Sequence, residues 1–143
     1  MKLATVGYEN DTLPDVLDRL QRAAVEVVID VRAVASSRKA GFSKSLLAAS
    51  LAERGIGYVH LRALGTPKPG RDAARDGRIA EMRAIYEAHL TEPAAQMELA
   101  QAAEIARDRR AALLCYEADA AGCHRSIVAE RLTQAHGFEV ENL

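Results

Sequence analysis

Short apolar runs alternate with amphipathic stretches along the whole chain. The runs are rich in Val, Leu and Ile and are bounded by glycine or charged residues, which is typical of buried strands. Because helical stretches separate them, they predict an α/β fold with a mostly parallel five-stranded sheet. The predicted strands are Leu3 to Val6, Val25 to Val31, Gly57 to Leu61, Ala111 to Tyr116 and Phe138 to Glu141.

The segments between the strands carry apolar residues at helical spacing. Asp11 or Thr12 is predicted to cap the first helix, and Ser43 is predicted to begin the second, which ends at Gly55. Pro93 predicts the start of the later of two helices before the fourth strand. The expected inward-facing residues are Leu13, Val16, Leu17 and Leu20 in the first helix and Leu46, Leu47 and Leu51 in the second.

Length and composition favour one domain over residues 1–143, since the chain can bury a core and shows no linker or repeat. Its 19 basic and 20 acidic side chains give a net charge of -1, which does not favour nucleic-acid or membrane binding overall. No signal peptide precedes the first strand, and no apolar run approaches the roughly 18 residues needed to span a bilayer. We therefore expect a cytoplasmic protein whose two cysteines are thiols or ligands rather than a disulfide.

Two stretches are locally basic. The segment from Arg62 to Arg78 holds three glycines, two prolines and five basic residues against two acidic ones, which predicts either a mobile loop over a site or a solvated connector. The stretch from Val31 to Lys44 includes Arg32 and Arg38 and has no carboxylate. Both stretches follow predicted strands.

The segment from Ala112 to Ser126 holds both cysteines, His124 and Arg125 at a strand-to-helix junction. Cys123 is the better candidate for a reactive thiol, because a helix N-terminus and neighbouring cations favour its thiolate. Cys115 closes an apolar strand, which favours a plain core residue over a reactive one. His124 and Arg125 fit either the helix surface or an anion site.

Polar residues follow each of the first four strands. In an open parallel sheet the ligand crevice lies outside the carboxyl ends of the strands, so these residues are predicted to converge there. Such an edge would be locally cationic and would suit a phosphate, a sulfur oxyanion, a nucleotide or a nucleic-acid backbone. The predicted binding residues are Tyr8, Glu9, Asp30, Arg32, Arg38, His60, Arg125 and Ser126.

Four motifs carry a resemblance to a known family: TVGYEN, IDVRAVASSRKAGFSKSLL, GIGYVHLRALGTPKPG and LLCYEADAAGCHRSIVAERL. In this order they closely resemble the bacterial family DUF488, a domain of unknown function, over essentially the whole chain. Ala35 departs from that family's pattern, which has a proline after the D-V-R motif. The resemblance implies a three-layer α/β/α fold and a cytosolic bacterial protein, but no biochemical function.

A more distant resemblance concerns rhodanese-like domains. Asp30-Val31-Arg32, Cys115, Arg125-Ser126 and the segment Gly137 to Val140 occur in the order of that pattern. The ten positions from Cys115 to Arg125 exceed the shorter loop of such enzymes, so this resemblance concerns the fold alone.

Three functions remain open from the sequence. The first is thiol-dependent chemistry on an anionic substrate, with Cys123 or Cys115 as nucleophile and His124 or Glu117 as proton carrier. The second is a non-catalytic nucleotide or nucleic-acid binding module, in which Tyr8 offers a stacking surface. The third is a metal site made by Cys115, Glu117, Cys123 and His124, although their spacing matches no standard zinc signature. No other cofactor is predicted.

Overall fold

A computed structural model describes residues 1–143. Its five strands form one sheet in the order β3-β2-β4-β1-β5, and all neighbours are parallel. The α/β fold and the five-stranded sheet are therefore confirmed, and each strand lies within two residues of its predicted bounds. The strands are β1 (Lys2–Gly7), β2 (Val27–Asp30), β3 (Gly57–His60), β4 (Ala111–Cys115) and β5 (Glu139–Asn142).

Six helices cover the two faces of this sheet, which gives the predicted three layers. The first two helices pack on one face over one apolar cluster. The other four pack on the opposite face over a second apolar cluster. None of the helices is both long and apolar enough to cross a membrane. The helices are α1 (Leu13–Arg22), α2 (Lys44–Glu53), α3 (Lys68–Arg75), α4 (Ile79–His89), α5 (Pro93–Asp108) and α6 (Arg125–His136).

The central strand β4 shows how the pleat places the later site residues. Successive side chains of a strand point to opposite faces, so Ala112 and Leu114 pack toward α1 and α2. Leu113 and Cys115 pack toward the face that carries α3 to α6. Cys115 thus ends β4 on the same side of the sheet as the N-terminus of α6.

Helix α2 corrects one sequence prediction. Ser43 occupies its N-cap position without a capping side-chain hydrogen bond, and Gly55, whose φ of +72° suits glycine, follows its C-terminal end as predicted. Leu47 is fully buried, but Leu46 is 60% exposed rather than inward-facing. Consecutive helical residues are rotated by about 100°, so a helix that directs Leu47 to the sheet turns Leu46 away from it.

The segment Arg62 to Arg78 corrects another prediction, because it is not a long irregular loop. A 3-10 turn spans Arg62–Leu64, and α3 begins at Lys68. Proline is tolerated in the first helical turn, where the amide needs no partner, so Pro69 at the second helical position does not break the helix. Gly70 packs closely on Thr66, since a Cβ there would lie 2.2 Å from the threonine methyl carbon.

Candidate functional site

A pocket of about 620 Å³ opens at the carboxyl ends of the strands. Strand register aligns Gly7 of β1 with Cys115 of β4, and Asp30 of β2 with Leu114 of β4, so the segments that leave these strands meet at one edge. Helix α3 adds a further wall. The lining residues are Tyr8, Glu9, Arg32, Ala33, Val34, Ser36, Ser37, Arg38, Thr66, Arg71, Ala74, Arg75, Cys115, Tyr116, Glu117, Asp119, Gly122 and His124.

Three buried residues form what we call the Cys/His cluster: Cys115, Cys123 and His124. The His124 Nδ1 atom lies 3.8 Å from the Sγ atom of each cysteine. The three atoms all lie within 4.8 Å of one another. A 3-10 turn over Ala120–Gly122 folds the chain back after β4, and this turn brings Cys123 beside Cys115.

A hydrogen bond to the ring nitrogen that does not face the sulfur atoms fixes the orientation of His124. Its Nε2 atom lies 2.7 Å from the carbonyl oxygen of Val31. Because a carbonyl oxygen only accepts, Nε2 carries the proton and donates it. In the neutral ring, Nδ1 is then the unprotonated nitrogen that faces both sulfur atoms. The ring of Tyr86 packs edge-on against the imidazole at 5.0 Å and completes its apolar surroundings.

The two thiols have opposite electrostatic environments. Burial alone would raise the pKa of Cys123, but hydrogen bonds from Cys115 and His124 and the positive charges of His124 and Arg125 hold it well below its usual value. The hydrogen bond to Cys123, burial and the negative charges of Cys123 and Glu117 raise the pKa of Cys115. These environments favour the thiolate at Cys123 over the thiolate at Cys115. However, Cys123 is fully buried, and Cys115 is the sulfur that lines the pocket.

Glu117 adds a carboxyl group to the floor of the pocket. Its Oε2 atom lies 3.8 Å from the sulfur of Cys115. Burial raises the pKa of Glu117 to about 7, and the charge on Cys123 adds to this shift. Glu117 is therefore placed beside the one sulfur that lines the pocket.

Arg125 holds this loop in place and is absent from the pocket lining. Its Nη1 atom donates to the carbonyl oxygen of Glu117 at 2.5 Å, and its Nη2 atom donates to that of Ala118 at 3.4 Å. Only 1% of the residue is exposed. The structure thus does not place Arg125 with the other predicted oxyanion ligands. Ser126 is also outside the pocket, since its hydroxyl donates to the Cys123 carbonyl oxygen.

Arg32 lies on the pocket wall, but its donors already have partners in the protein. Nε and Nη2 donate to the two carboxylate oxygens of Asp30 at 2.9 and 2.7 Å. Nη1 donates to the Tyr8 hydroxyl and to the Phe42 carbonyl oxygen. Burial alone would lower the pKa of Arg32, but the bonds and charge of Asp30 raise it above its usual value. Asp30 therefore compensates the positive charge of Arg32, which the sequence analysis expected an anionic ligand to compensate.

Two other predicted binding residues, Tyr8 and His60, hydrogen-bond to Arg32. Tyr8 is only 3% exposed and stacks on Phe42 with a centroid distance of 4.2 Å, so its ring faces are not free for a base. The Nε2 atom of His60 bonds the Arg32 carbonyl oxygen at 2.7 Å, and His60 does not line the pocket. The stacking role expected of Tyr8 is therefore not supported, whereas Tyr116, 45% exposed, lines the pocket.

Three arginines on the pocket lining form what we call the arginine wall: Arg38, Arg71 and Arg75. Arg38 was predicted, but the two arginines of α3 were not. Residues four apart share one helix face, so Arg71 and Arg75 could have been found if the segment had been recognised as a helix. Thr66 was also missed; it is a lining residue of the pocket, and its buried hydroxyl has no hydrogen-bond partner in the protein.

Together these features define an α/β protein with a parallel sheet and a pocket that joins a Cys/His cluster to an arginine wall. The chain belongs to the family described as Domain of unknown function DUF488, whose family profile matches residues 12–132. No curated protein and no solved structure matches the chain. The family resemblance expected from the motifs is therefore confirmed, and the distant rhodanese likeness stays a prediction.

Proposed function

We propose that the pocket binds an anionic small molecule and that the Cys115 thiol on its floor, with Cys123 behind it, is required for a reaction of that molecule. The observation that carries the proposal is that one pocket is lined by Cys115, Glu117 and His124 and also by the arginine wall. Its volume of about 620 Å³ is in the range of small-molecule sites, about 300–1,000 Å³. A phosphate- or sulfur-containing substrate is the class that these groups favour.

The free cations support an anionic ligand. Arg71 donates to the carbonyl oxygen of Thr66, a neutral acceptor, so its charge is not compensated there. Arg75 differs, because it pairs with Asp72 and Asp76. Arg38 is exposed and lines the pocket from the segment that follows β2. An anion in the pocket would receive charge-assisted hydrogen bonds from Arg38 and Arg71.

Thr66 supports a ligand at the same place. A buried hydroxyl without a partner is unfavourable in a folded protein, and native structures contain few of them. Thr66 is a lining residue of the pocket, and its own carbonyl oxygen accepts from Arg71. The unpaired hydroxyl therefore belongs to a residue beside the proposed anion, where a ligand oxygen could become its partner after a small side-chain movement.

A nucleotide-binding module without catalysis is the second candidate. Tyr116 favours it, because an aromatic side chain that is 45% exposed on the pocket lining can stack on a base. Under this proposal the cysteines would have no direct role. The two candidates therefore differ in what the replacement of Cys115 does.

The test uses phosphate, sulfate, thiosulfate and AMP as probes in isothermal titration calorimetry, followed by turnover assays on phosphate and sulfur esters. Arg38→Ala and Arg71→Ala should each weaken probe binding by about tenfold or more, since a hydrogen bond to a charged group is worth about 1.5–3 kcal/mol. Arg22→Ala, on the opposite face of the sheet, is the matched control and should leave affinity unchanged.

Cys115→Ser separates the candidates. A thiol-dependent enzyme should keep its affinity for the probe and lose turnover, whereas a binding module should keep both its affinity and its lack of turnover. Binding that is insensitive to both arginine substitutions would refute the pocket itself.

A further inference from the structure

We infer that Cys115, Cys123 and His124 together bind a transition-metal ion of the zinc type, with one coordination position left toward the pocket. The binding of the ion depends only on the cluster. Its part in a reaction rests on the proposed function, because an anionic substrate in the pocket would then lie next to the metal.

The two sulfur-to-nitrogen distances in the cluster fit the edges of a coordination tetrahedron. Zinc lies about 2.3 Å from a thiolate sulfur and about 2.0–2.1 Å from an imidazole nitrogen, so tetrahedral angles place the two ligand atoms about 3.6 Å apart. The two Sγ to Nδ1 distances here are both 3.8 Å. All three ligand atoms lie within 4.8 Å of one another, so one ion can reach all of them after small side-chain shifts.

The imidazole is oriented as a ligand would be. A metal-binding histidine almost always donates its other ring N–H to a carboxylate, a carbonyl group or water, which fixes the tautomer. Here the Val31 carbonyl oxygen accepts from Nε2 at 2.7 Å and leaves Nδ1 directed at the sulfur atoms. This contact joins the end of β2 to the start of α6, so the ligand is held by the sheet.

The donor set selects the class of metal. Two thiolates and one imidazole are soft to borderline donors, which suit zinc, iron or copper and disfavour magnesium and calcium. Cys123 and Cys115 are 0% and 5% exposed, and two adjacent buried thiolates would repel each other strongly. A divalent cation between them offsets that repulsion, because its two positive charges balance their two negative charges.

The pocket supplies the remaining position. Structural zinc sites are closed by four protein ligands, whereas catalytic sites keep three and leave the fourth open. Cys115 and His124 lie on the pocket lining, and Cys123 lies behind them. The Glu117 Oε2 atom, 3.8 Å from the Cys115 sulfur, lies where it can hydrogen-bond a water on the metal or act as a fourth ligand.

The first experiment measures metal in the full-length chain, purified without an affinity tag under reducing conditions. Elemental analysis should find about one equivalent of zinc or iron. After chelation, titration with Zn²⁺ or with Co²⁺ as a spectroscopic probe should restore one equivalent, and Co²⁺ should show a thiolate-to-metal charge-transfer band. Cys115→Ser, Cys123→Ser and His124→Ala should each weaken Zn²⁺ binding by more than about 100-fold. His136→Ala, at the exposed end of the same helix, should not change it.

A second measurement keeps the inference testable if those variants do not fold. In the wild-type chain, mass spectrometry should show that Cys115 is alkylated by iodoacetamide more slowly with one equivalent of Zn²⁺ than after chelation. Preparations that contain no metal, take up none after reduction and show the same alkylation rate with and without Zn²⁺ would overturn the inference. Retained phosphate binding in such preparations would show that the pocket proposal survives, while loss of phosphate binding with normal metal uptake would refute the pocket alone.

Discussion

The replacement Asp30→Asn tests whether Arg32 is a structural residue whose charge is compensated inside the protein. The Asp30 carboxylate is fully buried and accepts from the Arg32 backbone amide, from two guanidinium nitrogens and from the Tyr58 hydroxyl. Asparagine has almost the same shape but no charge, and its NH₂ group would point a donor at other donors. Arg32 would remain protonated and only 5% exposed, without its counter-ion.

Breaking a buried ion pair by removing one partner costs about 3–5 kcal/mol. This is a large part of a typical total stability of about 5–15 kcal/mol. We therefore expect Asp30→Asn to lower the free energy of unfolding by about 3–5 kcal/mol in urea titrations followed by circular dichroism at pH 7. Asp18→Asn is the matched control, because Asp18 pairs with Arg54 at 2.9 Å but is 52% exposed. Its cost should stay below about 1 kcal/mol.

A double variant provides an internal check. Combining Asp30→Asn with Arg32→Met removes the uncompensated charge, so the two losses should not add, with a coupling of about 1–3 kcal/mol. If Asp30→Asn costs no more than Asp18→Asn, or if the double variant is simply additive, the argument that Asp30 compensates Arg32 is wrong.

Two further pairs of substitutions, each a test with its control, probe the packing beside the pocket and under helix α2. Gly7→Ala should destabilise the protein by about 1–3 kcal/mol in the same assay, because the added Cβ would lie 1.8 Å from the Glu117 carbonyl oxygen. Gly122→Ala adds a Cβ no closer than 3.7 Å to its neighbours and should cost less than about 0.5 kcal/mol, so equal effects would contradict the steric account. Leu47→Ala should cost about 2–5 kcal/mol and the exposed Leu46→Ala less than about 0.5 kcal/mol; the reverse order would show that α2 presents another face to the sheet.

The sheet was predictable from the sequence because each strand has its own local pattern. Valine- and leucine-rich runs between polar turns indicate buried strands without knowledge of their neighbours. Helix α3 was not predictable by the same means. Pro67, Pro69 and Gly70 occur close together at its start, and such a local pattern is typical of a loop. Pro69 is acceptable only because it falls in the first turn, and Gly70 is required only because Thr66 packs against it.

The site was predictable in its position but not in the partners of its side chains. Parallel strands place their carboxyl ends together, which brought Cys115, Glu117 and Arg32 to one pocket as expected. Which cation is free to meet a ligand depends on contacts made in the folded chain. Arg125 is turned inward by the carbonyl groups of the Glu117 loop, and Arg32 lines the pocket but has its donors occupied by Asp30, Tyr8 and Phe42. The contacts with Tyr8 and Phe42 could not be predicted from spacing along the chain.

The floor and one wall of the pocket come from segments that are far apart in the chain and differ in their dependence on the sheet. The Cys/His cluster is anchored to β4 and to the Val31 carbonyl group, whereas α3 contributes its pocket residues from a helix outside the sheet. Under the proposed function, substitutions at Arg71, Ala74 or Arg75 would therefore alter which anion binds without moving the sulfur atoms. A pocket built in this way would allow its choice of ligand to change while the thiols keep their positions.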